Sequence, residues 1–369
     1  MLDDKEVKTG RQFEFDYMKG LFTPMILLIH SFQMLVGAGE FGVGYKMLYI
    51  IATMTGSAIF MFVVGLGSTY SRRTNIQLAK DGAKLLLWQV LWNVLAMTVP
   101  MLLAQVLRGL FGHETDWTTT WEFMPVLLQY VNVFFIAGMC YFLLALLRWI
   151  KTPTWAYFAL AGMFVVVNPY LYLCEAPTGI AVLDYVLTCF AGGRTEVSLC
   201  CLAHFPYVLL GTGFGKVLRC TKDKKVLYKR IALPAALLVV AYFIYACSNN
   251  KDLDALFVYV SDEYVFPGTL RALANCSSVL LLAGTLCALS SWIVKCVPLN
   301  QVLMHFCKKT TPYYAIHPFF YSFFSSLALY LPYSAEACVW MAFAVWALSF
   351  ATILVWDRIC LMHKRRCAQ

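Results

Sequence analysis

Ten apolar runs occupy most of this chain of 369 residues. Each is about as long as the twenty residues a helix needs to cross the hydrocarbon core of a bilayer. They fall at about 15–37, 48–70, 84–107, 124–148, 154–173, 197–217, 231–248, 272–294, 311–331 and 336–358. Charged residues make up 13% of the chain and hydrophobic ones 61%, where soluble domains carry about 25% charged residues. That leaves too little polar surface to face water. A soluble enzyme, a disordered tail and a coiled coil are excluded. The expected fold is all-α: a polytopic integral membrane protein of about ten transmembrane helices. No long polar segment interrupts the series, so 1–369 is read as one transmembrane domain with short tails at 1–14 and 359–369. The first run has no small-residue cleavage site and reads as a retained helix, not a signal peptide.

Sidedness follows from the cations. With the N-terminus inside and strict alternation, 24 of the 29 lysines and arginines fall on the inner side. They include Arg72 and Arg73, Arg148 and Lys151, and seven cations within 216–230, a stretch read as a cytoplasmic loop. The outer loops keep Lys46, Arg108, Arg194, Lys251 and Arg271, together with 12 of the 20 acids. Basic bias sets membrane orientation, so both termini are expected in the cytoplasm. The net charge of +9 is therefore explained by inner loops and needs no nucleic acid.

Several signals carry little. The 14 cysteines start at Cys140 and lie mostly in apolar runs, without a CxxC pair or metal-ligand spacing; they read as small buried hydrophobes. Cys174 and Cys189 share a polar loop, where pairing and free thiols are both open. Gly37-Ala38-Gly39-Glu40-Phe41-Gly42 fits GxGxxG but lacks the strand–turn–helix context of a dinucleotide site. Asn275-Cys276-Ser277 is a glycosylation sequon placed where a membrane helix begins.

Polar groups inside lipid are costly and are functional candidates by default. The candidates are His30 in the first run, Gln89 and Asn93 in the third, Asn132 in the fourth, His204 in the sixth and His317 in the ninth. Lys19 and His30 are eleven residues apart, about three helical turns, and so share a face about 16 Å apart. Asp16 lies one turn before Lys19. One reading is a column with a cation at its mouth and an imidazole at depth; the other is a snorkelling lysine and a histidine bonded to a neighbouring helix. His317 is about two turns inside the edge, with Tyr313 on its face at i, i+4, and Pro318 is expected to disturb the helix there. His204, next to Phe205-Pro206 and close to Gly211 and Gly215, fits close helix packing. The inner cations read either as anchors to anionic lipid or as a site for a phosphorylated cytosolic ligand.

Asp16-Tyr17-Met18-Lys19-Gly20-Leu21 with His30 resembles the signature of membrane acyltransferases. In the acyltransferase-3 family an arginine, ten residues and a histidine stand where Lys19 and His30 stand. Phe60–Gly67 followed by Arg72-Arg73, Leu127–Tyr130, and Phe205-Pro206 with Gly211 and Gly215 are similar to the heparan-α-glucosaminide N-acetyltransferase-like branch. Tyr314-Ala315-Ile316-His317-Pro318 resembles the late Tyr-x-x-His-Pro of the superfamily.

The resemblance implies transfer of an acyl group, usually acetyl, from cytosolic acyl-CoA to a hydroxyl or amine of a sugar, glycan or other envelope acceptor. It implies no metal. By position His30 matches the histidine that activates the acceptor or carries the acyl group, with Asp16 and His317 as further candidate catalytic groups. Lys19 takes the place of the CoA-holding arginine, although an ammonium lacks the bidentate reach of a guanidinium. Arg72, Arg73, Lys216, Arg219 and Tyr313 are candidate CoA contacts, and Asn132 and His204 candidate acceptor- or carbonyl-orienting groups. The expected partners are acyl-CoA, the acceptor and the bilayer, with oligomerisation left open; analogy with the family points to a bacterial plasma membrane. The rival reading is a small-solute transporter using the same polar column.

Overall fold

The computed structural model describes residues 6–7, 9–35, 42–172, 178–192, 199–265, 267–328 and 335–367. The Gly37–Phe41 part of the glycine-rich stretch and Cys174, and with it any Cys174–Cys189 bond, lie outside them. The fold is all-α. In chain order the helices are α1 (Phe13–Leu35), α2 (Val43–Thr53), α3 (Gly56–Tyr70) and α4 (Asn75–Asn93), then a π-helical turn, Val94–Thr98, leading into α5 (Val99–Leu110). They continue as α6 (Trp117–Gln129), α7 (Val133–Trp149), α8 (Thr154–Tyr172), α9 (Ala181–Ala191) and α10 (Cys201–Arg219). The last are α11 (Lys224–Asn249), α12 (Leu253–Val265), α13 (Thr269–Lys295), α14 (Val297–Ala328) and α15 (Ala335–Cys367).

Seven described stretches are long and apolar enough to cross a membrane: Val43–Tyr70, Asn75–Leu110, Trp117–Trp149, Cys201–Arg219, Lys224–Asn249, Thr269–Lys295 and Val339–Met362. Each coincides with an expected span. The other three expected spans fall on α1, α8 and α14.

Three expectations need correction. The fourth run is not one helix, because α6 and α7 are separated at 130–132. The loop expected to carry seven cations shrinks to the turn 220–223. Asp223 starts α11 there, its Oδ1 accepting from Lys225 N at 2.9 Å and Val226 N at 3.4 Å, which satisfies two of the donors a helix start leaves open. The tail expected from 359 continues α15 as helix to Cys367.

Chain contacts divide the protein into two compact units. Unit 1 comprises Met1–Met18, Val43–Gln89 and Tyr130–Asn300; unit 2 comprises Lys19–Gly42, Val90–Gln129 and Gln301–Gln369.

In unit 1, α3 and α10 meet backbone to backbone. A Cβ added at Gly65 would collide with the carbonyl of Val208, and one at Gly211 with the carbonyl of Phe62. Lipid gives helices no hydrophobic reason to associate, so close approach through small residues replaces it. The two helices run parallel: Ser57 meets His204, Phe62 meets Gly211, and Thr69 meets Arg219. α8 runs antiparallel to α10, with Thr152 at Lys216, Phe158 at Gly213 and Phe164 at Phe205. α11 and α13 are antiparallel through Tyr228–Gly284 and Tyr242–Arg271. In unit 2, α1 and α14 run parallel, with Gly20 against the Leu303 backbone, Thr23 at Thr310 and His30 at His317. In strict alternation spans of equal parity run the same way. Alternation of the ten expected spans would run α3 with α10 and α1 with α14, and would oppose α8 to α10 and α11 to α13.

The seam makes a sharp prediction. Gly67, two residues on and so on the opposite face of α3 from Gly65, has open space around a Cβ. Gly67→Ala should therefore raise the thermal stability of the detergent-purified protein by up to about 1 kcal/mol. Gly65→Ala and Gly211→Ala should each lower it by about 1–3 kcal/mol through overpacking.

Candidate active site

Two helices build the site in unit 2. α1 presents Lys19, Thr23 and His30 along one side; α14 presents Thr310 and His317. Gly20 lets the backbones touch at Leu303. Above that contact Thr23 Oγ1 lies 3.0 Å from Thr310 Oγ1. Both hydroxyls also bond their own helices, Thr23 to Lys19 O at 2.8 Å and Thr310 to Phe306 O at 3.0 Å. Two turns further, His30 Nδ1 is 3.1 Å from His317 Nε2, the rings lying 25° apart in tilt with centroids at 5.4 Å.

The hydrogen bonds fix the tautomers. His317 Nδ1 sits 3.0 Å from the carbonyl oxygen of Tyr313. A carbonyl only accepts, so Nδ1 carries the proton and Nε2 is left with a lone pair. His30 must then donate from Nδ1 to His317 Nε2. This leaves His30 Nε2 as the unprotonated nitrogen at the open end of the chain. His317 is fully buried and His30 is half-buried, so the more exposed of the two imidazoles is the one holding the free lone pair. Tyr314 and Tyr321 meet the His317 ring edge-on, both at 5.5 Å, and fix its plane. The disturbance expected at Pro318 does not break α14, which is continuous from Val297 to Ala328. Beside the carbonyl that Pro318 frees, Trp92 Nε1 donates to Ala315 O at 3.1 Å.

The acyltransferase-domain profile of the acyltransferase-3 family matches residues 12–356. The chain belongs to the acyltransferase-3 family. It is a membrane acyltransferase with several transmembrane helices. No curated protein and no solved structure matches it.

The other residues singled out in the sequence of this acyltransferase have definite places. In unit 2 Tyr313 is fully buried and turns its hydroxyl to His305 Nε2 at 3.0 Å, among Leu27, Phe306 and Ile353. His305 escaped the sequence reading because it lies outside the apolar runs. Burial holds its pKa below the usual imidazole value, against the opposing pull of Asp357. Asp357 itself pairs with Lys309.

In unit 1 Asp16 is held by Arg11 at 2.5 Å. Arg73 pairs with Asp81 at 2.9 Å, and Arg72 is exposed. Lys216 donates to Thr152 O at 3.2 Å and lies 4.5 Å over the Tyr157 ring. Arg219 bonds Thr69 O and Glu6, and Arg148 bonds Ser68 O. Cations belong at helix C-termini, where the last carbonyls lack partners, and Arg148 and Arg219 do this for α3. His204 donates from Nδ1 to Cys200 O at 2.8 Å and accepts at Nε2 from Ser57 at 3.2 Å; both nitrogens serve helix packing.

Asn132 is the N-cap of α7, its Oδ1 accepting from Phe134 N at 2.8 Å. Gln89 bonds Tyr130 O and, through Oε1, Phe135 N. In unit 2 Asn93 donates to Leu128 O at 2.9 Å. These side chains satisfy backbone groups that the end of α6 and the start of α7 expose inside an apolar run, where water is not available. Among the described residues no His, Cys, Asp and Glu group is placed to hold a metal.

Asn132→Ala should cost about 1 kcal/mol of stability, the worth of a lost N-cap, and Asn132→Ser should recover most of it. A loss of turnover in both variants at unchanged stability would instead place Asn132 at the substrate.

Proposed function

We propose that the protein moves an acyl group, acetyl first among them, from cytosolic acyl-CoA to a hydroxyl or amine of a sugar or other envelope acceptor. His30 is the base and His317 the residue that orients it. The observation that carries this reading is the His30–His317 hydrogen bond on the Tyr313 carbonyl. Unperturbed imidazole has a pKa near 6.5, which suits proton transfer at neutral pH.

His30 Nε2 takes the proton of the acceptor hydroxyl or amine as its oxygen or nitrogen attacks the thioester carbonyl. The carbon–sulfur bond breaks, and the thiolate of CoA leaves and takes that proton from His30. His317 Nε2 accepts from His30 Nδ1 throughout, keeping Nε2 turned to the acceptor and the positive charge shared while it exists. In the carrier variant of the same reading, His30 Nε2 attacks the thioester carbonyl and the carbon–sulfur bond breaks, releasing the CoA thiolate; the acceptor then attacks the acyl carbon, the bond to Nε2 breaks, and the acceptor's proton passes through Nε2 to the thiolate. A covalent acyl-His30 species trapped at short times would select that variant.

We read the chain as ten spans in a bacterial plasma membrane, with both termini cytoplasmic. The parallel and antiparallel helix pairs within each unit support that parity. Lys19 then stands at the inner mouth of the α1–α14 seam and Asp16 just before it. CoA is multiply anionic and docks at inner cations; the exposure of Arg72 is compatible with that, whereas Lys216 and Arg219 bond carbonyls and contribute field.

The test is acetyl-CoA binding and turnover to free CoA by the full-length protein in nanodiscs. Micromolar binding that weakens with salt and in Arg72→Ala/Arg73→Ala is expected. His30→Ala should keep that binding and lower turnover about 10²–10⁴-fold, the usual worth of a general base. His317→Ala should fall less, and His317→Gln, whose amide oxygen can accept from His30, should recover part of the loss. Turnover retained by His30→Ala would end the assignment. Absence of acyl-CoA binding to the folded protein would end the donor.

A further inference from the structure

The sequence places Arg271 among the outer-loop cations, yet it lies in the first turn of α13 and is fully buried. Its Nη1 donates to Tyr242 Oη at 2.5 Å, and its guanidinium carbon sits 4.9 Å from the Tyr242 ring centroid. Its Nε and Nη2 have no hydrogen-bond partner. Among the described residues no carboxylate pairs with it. One turn along α13, Asn275 donates to Tyr207 Oη at 3.1 Å, but its Oδ1 is also without a partner. Thr269 Oγ1 ties the start of α13 to Val165 O on α8 at 3.2 Å. Three residues beyond Val165, Asn168 is buried with its Oδ1 unpartnered.

An arginine cannot escape burial by losing its proton. An uncompensated buried charge costs several kcal/mol even after relaxation. Nε and Nη2 form one edge of the guanidinium, two parallel donors matched to the two oxygens of an oxyacid. The named groups around it are neutral, so one positive charge calls for one negative charge. The N-terminal end of a long helix adds its own preference for an anion. The unpaired amide oxygens of Asn275 and Asn168 are acceptors, suited to hydroxyls carried by the same molecule.

We propose that Arg271, with Asn275 beside it, binds the monoanionic oxyacid group of a hydroxyl-bearing molecule, a carboxylate or a phosphodiester, through the Nε–Nη2 edge. The two sources of that chemistry are a soluble acidic sugar and the headgroup of an anionic lipid. The site belongs to unit 1, and its assignment stands apart from the acyl-transfer reading. Because the guanidinium is buried, side chains over it must part for occupancy. The bound pair should then resist screening by salt far better than a surface contact.

The experiment uses the full-length protein, delipidated in neutral detergent, and follows thermal unfolding as methyl glucuronide or phosphatidylglycerol is added in separate titrations. A saturable rise in Tm that survives raised NaCl is expected with at least one probe. A response to methyl glucuronide alone identifies a soluble acid, and one to phosphatidylglycerol alone a headgroup; both support the site. Arg271→Gln should abolish the response, and Arg271→Lys should weaken it about ten-fold or more, since a point charge cannot fork. Asn275→Asp guards against a variant that fails to fold. It places a carboxylate at i, i+4 from Arg271, so it should raise the starting Tm and remove the response. No response to either probe, an equal response in Arg271→Gln, or an undiminished response in Asn275→Asp would overturn the proposal. The readout is binding, so loss of acyl transfer and loss of this site are separately visible.

Discussion

Backbone carbonyls and amides inside an apolar layer have no water to turn to, and many of the described polar side chains answer to that fact. Thr53, Ser68, Thr212, Thr310 and Ser349 each bond a carbonyl three or four residues back on their own helix. Gln89, Asn93 and Asn132 serve the end of α6 and the start of α7. Arg148 and Arg219 close the end of α3. An unpaired polar group in such surroundings costs several kcal/mol, more than one functional contact returns. Polarity at depth is therefore weak evidence of function until the backbone has been accounted for.

That accounting separates the histidines. His204 has both nitrogens committed, one to its own helix and one to Ser57. His317 has both committed as well, but its second partner is another imidazole. Only His30 finishes the chain with a nitrogen bearing a lone pair. The same logic separates these two arginines: Arg219 spends both terminal nitrogens on Thr69 and Glu6, whereas Arg271 keeps Nε and Nη2, one whole edge of its fork, unpaired.

Much of the fold was legible because the length of each apolar run is a property of composition along the chain. The eleven-residue spacing of Lys19 and His30 likewise put both on one side of α1. Partnership was not legible. Nothing in the spacing of His30 and His317, 287 residues apart, says that they touch. The break between α6 and α7 was hidden because Tyr130, Val131 and Asn132 continue an apolar run; the signal was Asn132 itself, an N-cap residue type. Arg271 was misplaced because it precedes the apolar stretch, and a cation at a helix start reads as exposed. His305 was missed for the same reason.

The choice of a carbonyl to end the imidazole chain has its own physical sense. In soluble enzymes a carboxylate commonly holds the catalytic histidine in its tautomer. Within an apolar layer that would bring in a second charge at considerable cost. The Tyr313 carbonyl fixes the tautomer of His317 with a neutral group, and His317 passes the same constraint to His30 without any ion. The arrangement depends on register. His30 meets His317 only because Gly20 lets α1 settle on Leu303, three turns below; a side chain at Gly20 would part the helices, and a shift of one residue would swing the ring about 100° around its axis. The smallest residue of the signature thus sets the position of its histidine.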